Sequence, residues 1–355
     1  MKKRGKSLFA IVTAFAMATM LAACASNNPT STGVGGGGTT GTGTETGTGS
    51  VQTQVLKVAF NQPENHPQFK AMVEFGEKLK ERTGGAYSIE MYPNELLGAQ
   101  RETIELVQSG TIAMSIVAGS LMENFNPDFV VFNLPYVFNS KEHQMSVLNN
   151  QEIVSDLYKS TEAQGMTVLG AFHGGVRNVY NKTKPIETPE DLNGLKIRII
   201  ESDTNIKMMS YMGGTGTPMG QGEVYTAIQS GVLDGGENNE LIYANLKHVE
   251  IAPYYSYTKH LMIPDYLIIN TSLLNSMSDE HRTAFLEEFS KAIDREVELW
   301  DADVEAAKQA AEAAGAKFNE PDITIFQNAV KPLLDEKLTS DNAKALYQKV
   351  RDAVQ

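Results

Sequence analysis

The sequence predicts an α/β protein of two lobes, on three observations. A β–α–β order opens the folded part of the chain, one helix-to-strand unit occurs twice in separate halves, and 36 residues without Gly or Pro follow from Asp279 to Ala314. The elements are taken below in chain order.

The first residues read as an export signal. Lys2, Lys3, Arg4 and Lys6 precede an uncharged apolar run, Leu8 to Met20, and then "LAAC", Leu21 to Cys24. Small residues ahead of a cysteine at the cut site make this a lipoprotein signal peptide, residues 1–23, with Cys24 left to carry lipid. The alternative is a retained anchor with an incidental thiol. The run is short for that, since a bilayer takes roughly 20 residues to cross. Cys24 is the only cysteine, which excludes disulfides and cysteine metal sites. Residues 24–54, rich in Gly, Thr and Ser, cannot bury enough surface to offset chain entropy and read as a flexible tether. The expected product is exported and lipid-anchored at the outer face of the cytoplasmic membrane, in a periplasm or on a cell surface.

About 300 residues remain, near the size at which chains divide. The formal net charge of −13 becomes more negative still once the basic leader is removed. Such a surface excludes nucleic acid and a basic membrane-binding face, and repels anions at long range. Any anion site must be local, built from a few arginines.

"QVLKVAF", Gln54 to Phe60, alternates as a strand. A helix follows with Phe69, Met72, Val73, Phe75 and Leu79 on its inner face, ended by Gly84-Gly85, and Ala86 to Pro93 is a second strand. A crossover of this length implies parallel pairing. Gly98–Val117 and Gly220–Asn239 each contain a helix closed by Gln-Ser-Gly and then a short strand, with Gly110 and Gly231 as left-handed C-caps. "TPEDLNG" has an N-cap, Thr188, a first-turn Pro189 and a capping-box Asp191. The strand it releases alternates Leu195, Ile197 and Ile199 with Lys196, Arg198 and Ile200. From Asp279 a single helix would be about 54 Å long, with Phe285, Phe289, Ile293, Val297, Trp300, Val304, Ala307 and Ala311 on one face. A helix longer than one lobe must lie across both. The expected division is 55–174 with 265–303 for the first lobe and 175–264 with 304–355 for the second.

No nucleophile-elbow, P-loop or zinc-protease motif occurs, and the six histidines show no metal-ligand spacing, so neither enzyme machinery nor a metal or cofactor site is expected. The Gly-rich "GGTGTPMG", Gly213 to Gly220, follows a helical run rather than a strand and reads as a turn, not a phosphate cradle. Polar residues instead gather at strand ends, where open α/β sheets bind ligands. Arg177 lies in a strand-like run after Gly174-Gly175 and either meets a ligand or neutralises a neighbour. Arg198 sits among buried-looking isoleucines and therefore needs a partner, either a protein carboxylate such as Glu237 or a ligand carboxylate. Glu237, Asn238 and Asn239 mark a strand exit, where the asparagines could equally form an Asx turn. His260 lies between two β-like runs. It and His66 fit capping or packing as well as ligand contact.

The order of "NELLGAQRETIELVQSGTIAM", "RNVYNKTKPIETPEDLNGLKIRI", "GGTGTPMGQGEVYTAIQSGVLDGGENN" and "HLMIPD" resembles the solute receptors of tripartite ATP-independent (TRAP) transporters over all of Val55 to Gln355. The resemblance implies a two-lobed, periplasmic-binding-protein-like fold whose cleft closes on an organic anion. By the same resemblance Arg198 meets the carboxylate, Arg177 makes a second contact and Asn238 a third. Gln100, Gln221 and His260 line the cleft. "ENN", "RNVYN" and "HLMIPD" resemble receptors for hexuronates, and Asn178, Asn239 and Glu237 suit a ligand rich in hydroxyls. The implied function is capture of a sugar acid such as glucuronate or galacturonate by a monomer, for delivery to integral membrane subunits. The family is usually free in the periplasm, so the lipid signal is a departure. The competing readings are a C4-dicarboxylate or other organic-acid receptor, a lipoprotein feeding an ATP-driven importer, and an enzyme on uronate polymers using Glu237 with Glu240 or Asp265 as paired carboxylates.

Overall fold

A computed structural model describes residues 52–353. The signal peptide, Cys24 and all but the last three tether residues lie outside the described residues. One nine-stranded sheet forms the frame. In chain order the elements are β1 (Gln54–Ala59), α1 (Pro67–Arg82), β2 (Tyr87–Tyr92), α2 (Gln100–Gln108), β3 (Met114–Ala118), α3 (Lys141–Leu148), α4 (Gln151–Lys159), β4 (Met166–Asn181), β5 (Lys196–Ile199), α5 (Asp203–Tyr211), β6 (Thr215–Pro218), α6 (Val224–Gln229), β7 (Gly235–Asn238), α7 (Glu240–Asn245), β8 (Tyr254–Asn270), α8 (Thr271–Ser276), α9 (Asp279–Ala313), β9 (Lys317–Asn319), α10 (Ile323–Lys337) and α11 (Asp341–Asp352). β1 begins at Gln54, as the alternation from Gln54 predicts, and the tether ends before it.

The strand order is β2-β1-β3-β8-β4-β7-β5-β6, with β9 beside β8. β1 pairs in parallel with β2 and β3, as the crossover helix α1 requires. Antiparallel β4 and β8, 16 and 17 residues long, run through both halves and join them. This is the mixed α/β, two-lobed architecture expected. The two Gln-Ser-Gly helices are α2 and α6, and Gly110 and Gly231 have φ of 74° and 81°. The Gly-rich Gly213–Gly220 segment holds β6, a short edge strand, where a turn was expected.

β8 is one strand where the sequence reads as two β-like runs around His260. Its Pro264 sits opposite His173 where the register slips, so that Gly174 and Gly175 oppose Ile263 alone. A bulge tolerates the missing proline N–H. Gly175 has φ of 81°, and a Cβ there would lie 2.6 Å from Asn239 Nδ2 and 2.8 Å from Trp300. The crossing between lobes is thus shaped to admit both side chains.

α9 is unbroken over 35 residues. Phe285 packs edge-on to Phe75 of α1 at 5.1 Å and Phe289 edge-on to Phe172 of β4 at 5.5 Å. Trp300 meets His173 at 4.7 Å at the crossing, and Ala311 enters the cluster of Tyr180, Tyr243 and Tyr255 in the other half. Its apolar stripe fastens it to both lobes. On α1, Val73 is 41% exposed and does not share the inner face assigned to it. α11 packs on α4 beside the first half, and His143 Nε2 lies 2.9 Å from Val350 O. The last residues therefore rest on elements of the first lobe, unlike the expected grouping of 304–355 with the second.

Periodicity also missed two buried acids on α9, Glu288 and Glu296. Glu288 is paired with Arg82 and Lys291. Glu296 accepts only the His173 N–H, its Oε1 has no partner, and burial pushes its carboxyl well above the usual range. A raised folded value contributes stability below the unfolded value of about 4.3 and loses it as pH climbs through the folded value. Glu296→Gln should therefore raise the urea midpoint at pH 8, with the gain shrinking toward pH 4. An equal gain at both pH values would show that Glu296 does not titrate on unfolding.

Candidate functional site

A cavity of about 130 Å³ opens where the two halves of the sheet face each other, the scale of one small solute rather than a polymer. Of the ten residues expected to contact ligand, Arg198, Arg177, Asn238, Asn239, Gln100, Gln221 and His66 line it; Asn178, Glu237 and His260 do not.

Arg198 is on β5, held in parallel between β7 and β6 opposite Gly236 and Thr217. It is 5% exposed. Its Nε donates to Met219 O at 2.9 Å and its Nη1 to Gln221 Oε1 at 3.3 Å. A guanidinium carries five N–H groups, and Nη2 makes no bond to protein. Among the described residues no carboxylate comes within 4 Å, and burial together with the charge of Arg177 lowers the pKa of this guanidinium. Arg198 is thus a buried cation without a counterion.

Arg177 is the opposite case. Its Nε and Nη2 clasp Glu237 Oε2 and Oε1 at 2.5 and 2.7 Å, Nη2 also donates to Glu237 O, and Nη1 donates to Asn238 Oδ1 at 3.1 Å. The strand register makes this pair, because Glu237 lies opposite Val179, two residues along β4 from Arg177. Burial opposes both charges. Mutual attraction outweighs it, raising the arginine and holding the Glu237 carboxyl well below its usual range. His260 Nε2 stands 3.5 Å from Glu237 Oε2, while its Nδ1 meets Thr258 Oγ1 at 2.8 Å. Burial lowers the His260 pKa, so the ring is neutral. Arg177 therefore neutralises a neighbour, and Glu237 and His260 sit behind it rather than in the cavity. The idea that Glu237 serves Arg198, or works with Asp265 or Glu240 as a hydrolytic pair, fails for the same reason: Arg177 occupies both its oxygens.

The remaining assignments divide similarly. Asn178 is turned inward, donating to Val176 O and Tyr255 OH and accepting from the Lys259 N–H. Asn239 lines the cavity while capping α7 and donating to Gly174 O. His66 caps α1 by accepting the Gln68 N–H, and burial lowers its pKa to about 3. Gln100 spends its Oε1 on Ala118 N–H. Asn238 Nδ2 reaches Gln221 Oε1 at 3.3 Å, and Gln221 Nε2 is buried without a partner.

Three residues of the first lobe, Glu95, Arg101 and Gln62, received no individual role from the sequence, and Asp265 entered only as one half of a hydrolytic pair. Glu95 lies in a loop with Asn94, both at positive φ, and accepts Gln221 and Gly222 N–H across the cleft at 3.2 and 2.9 Å. Arg101 bonds Glu201 across the mouth at 2.5 Å. Gln62 and Asp265 line the wall. The strings "NELLGAQRE" and "HLMIPD" held Glu95, Arg101 and Asp265 without singling out the first two.

Residues 58–341 match the model of the bacterial extracellular solute-binding proteins, family 7. The Salmonella typhimurium protein YiiZ is 36% identical over 84% of this chain and 91% of its own. A TRAP periplasmic solute-binding protein from Anaerococcus prevotii with bound α/β-D-glucuronate superposes with a TM-score of 0.82 at 39% identity, covering 84% of this chain and 97% of that one. One from Xanthobacter autotrophicus with bound β-D-galacturonate gives 0.81 at 32%, covering 84% and 99%.

Proposed function

This chain belongs to family 7 of the bacterial extracellular solute-binding proteins, and on that premise we propose that it captures one hexuronate-type sugar acid and delivers it to the membrane subunits of a TRAP transporter. As a member of that family it is a binding receptor rather than an enzyme. The observation that carries the ligand class is the contrast between the arginines. Arg198 is buried and has no counterion among the described residues, so a ligand carboxylate supplies one, in the bidentate geometry that lysine lacks. Arg177 has already given its charge to Glu237, leaving no second cation of that pair for a dicarboxylate. The bound glucuronate and galacturonate of the structural relatives support the same class.

Closure in this reading brings residues 55–174 with 265–303 toward 175–264 with the end of α9 and β9, hinged at the Gly174-Gly175 bulge. Glu95 with Gln221 and Gly222, and Arg101 with Glu201, are the contacts that would form as the lobes meet. The protein acts as an exported monomer tethered by lipid on Cys24, a reading that rests on the basic leader, the apolar run and "LAAC". No helix among the described residues is long and apolar enough to cross a membrane. Mass spectrometry of the mature N-terminus tests the tether: a diacylglycerol adduct on Cys24 supports it, and a start elsewhere contradicts it.

A thermal-shift panel tests the ligand class, with D-glucuronate, D-galacturonate, aldonates, sialic acid, succinate, malate and neutral sugars. A ligand at about 100 times its Kd stabilises by about 2.7 kcal/mol. A shift with a uronate and none with its neutral sugar is expected. A response to dicarboxylates alone would retain the receptor and replace the ligand.

A further inference from the structure

We propose that Asp265 is the residue that makes this receptor accept one carboxylate and refuse two, by receiving a ligand hydroxyl at the end of the cleft away from Arg198. The inference rests on the sugar-acid reading and adds to it the identity of the discriminating group.

Several polar atoms lining the cleft remain unengaged. On the second-lobe wall two buried donors are left: Arg198 Nη2, which bonds no atom of the described residues, and Gln221 Nε2, buried without a partner. On the first-lobe wall Glu95 has both oxygens occupied by Gln221 and Gly222 N–H, and Gln100 has given its oxygen to Ala118. Two acceptors are left there. Gln62 Oε1 is buried with no partner. Asp265 gives Oδ2 to Gln68 Nε2 at 2.8 Å, and its Oδ1 has no protein donor. Among the described residues no cation comes within 4 Å of Asp265 either, since Arg177 is clasped by Glu237. β8 fixes the side chain, with Asp265 opposite Ala118 on one side and Phe172 on the other, next to the crossing bulge.

One wall therefore includes an unpaired cation and an amide donor, and the other an unpaired carboxylate and an amide oxygen, while the lining cation Arg101 is exposed at the mouth and paired with Glu201. A molecule complementary to both has an anionic group at one end and hydroxyl donors at the other, as a uronic or aldonic acid does. An aldaric acid of the same length carries a second carboxylate where those hydroxyls stand. That carboxylate would face Asp265, and like charges so juxtaposed suppress binding. Gln68 holds Asp265 in place, which prevents the side chain from turning away.

The test compares D-glucuronate with D-glucarate, and D-galacturonate with galactarate, by titration calorimetry on the wild-type protein and on Asp265→Asn. The wild type should bind each uronate at least about 100-fold more tightly than its aldarate. Asp265→Asn keeps an oxygen for Gln68 and removes the charge. It should weaken uronate binding modestly, strengthen aldarate binding and narrow the ratio by at least about 10-fold. If the wild type binds uronate and aldarate equally, the proposal is overturned without recourse to a variant. If the variant weakens both ligands alike, Asp265 is a general contact and the proposal is again overturned. Wild-type protein that binds no uronate at all overturns the sugar-acid reading first, and this inference with it.

Discussion

Arg198→Ala should weaken binding of the preferred uronate by about 3–5 kcal/mol, roughly 100- to 4,000-fold, while leaving the ligand-free protein no less stable. Both halves follow from one fact: the guanidinium is buried, bonds a carbonyl and an amide, and lacks a carboxylate. Without ligand that desolvated charge is a cost to the fold. With ligand it becomes half of a charge-assisted, two-pronged contact. Arg198→Lys should retain only a small part of the affinity, because an ammonium cannot keep the Met219 carbonyl and also present a planar fork. Calorimetry and melting of the same preparations read the two quantities separately. Normal affinity in Arg198→Ala would remove this residue from the site. Normal affinity loss with a large fall in ligand-free Tm would make it a structural residue instead.

Glu237→Ala should act with the opposite balance, destabilising the ligand-free protein by about 3–5 kcal/mol. It strands Arg177, which is 4% exposed and now relies on Glu237 for three of its four hydrogen bonds. One of those three goes to the backbone carbonyl and survives, so the loss is that of the charge and both carboxylate contacts. Removing both charges with apolar side chains of similar size, Arg177→Met with Glu237→Leu, should recover much of the loss, since a buried pair is worth little against a packed apolar one. Chemical denaturation of the two single variants and the double variant closes the cycle. Additive losses would mean that the two groups do not act as a pair.

Local signals explain what was legible in the sequence. The spacing of Phe285, Phe289, Trp300 and Ala311 is a one-dimensional pattern, and α9 obeys it because a helix places such residues on one stripe. Arg198 stood out because isoleucines flank it on a strand, and burial of a charge always raises the question of its partner. Arg177 was ambiguous for a physical reason. Its partner is 60 residues away and is selected by the β4–β7 register, which no local pattern encodes. The same holds for His260 and Asn178, whose polar groups turn to neighbours behind the cavity. Glu95 and Gln62 come from loops that the fold swings over the cleft, and acids in loops ordinarily face water. β8 runs unbroken through His260, where two runs were read, and a bulge accommodates its Pro264 in the sheet.

A crystal structure of the protein with D-glucuronate tests the central claim most directly. The carboxylate should lie on Arg198, with its oxygens about 2.7–2.9 Å from the guanidinium nitrogens, and with Arg177 still clasped by Glu237. A carboxylate seated on Arg177, with Arg198 turned to hydroxyls or to a protein acid, would contradict the account.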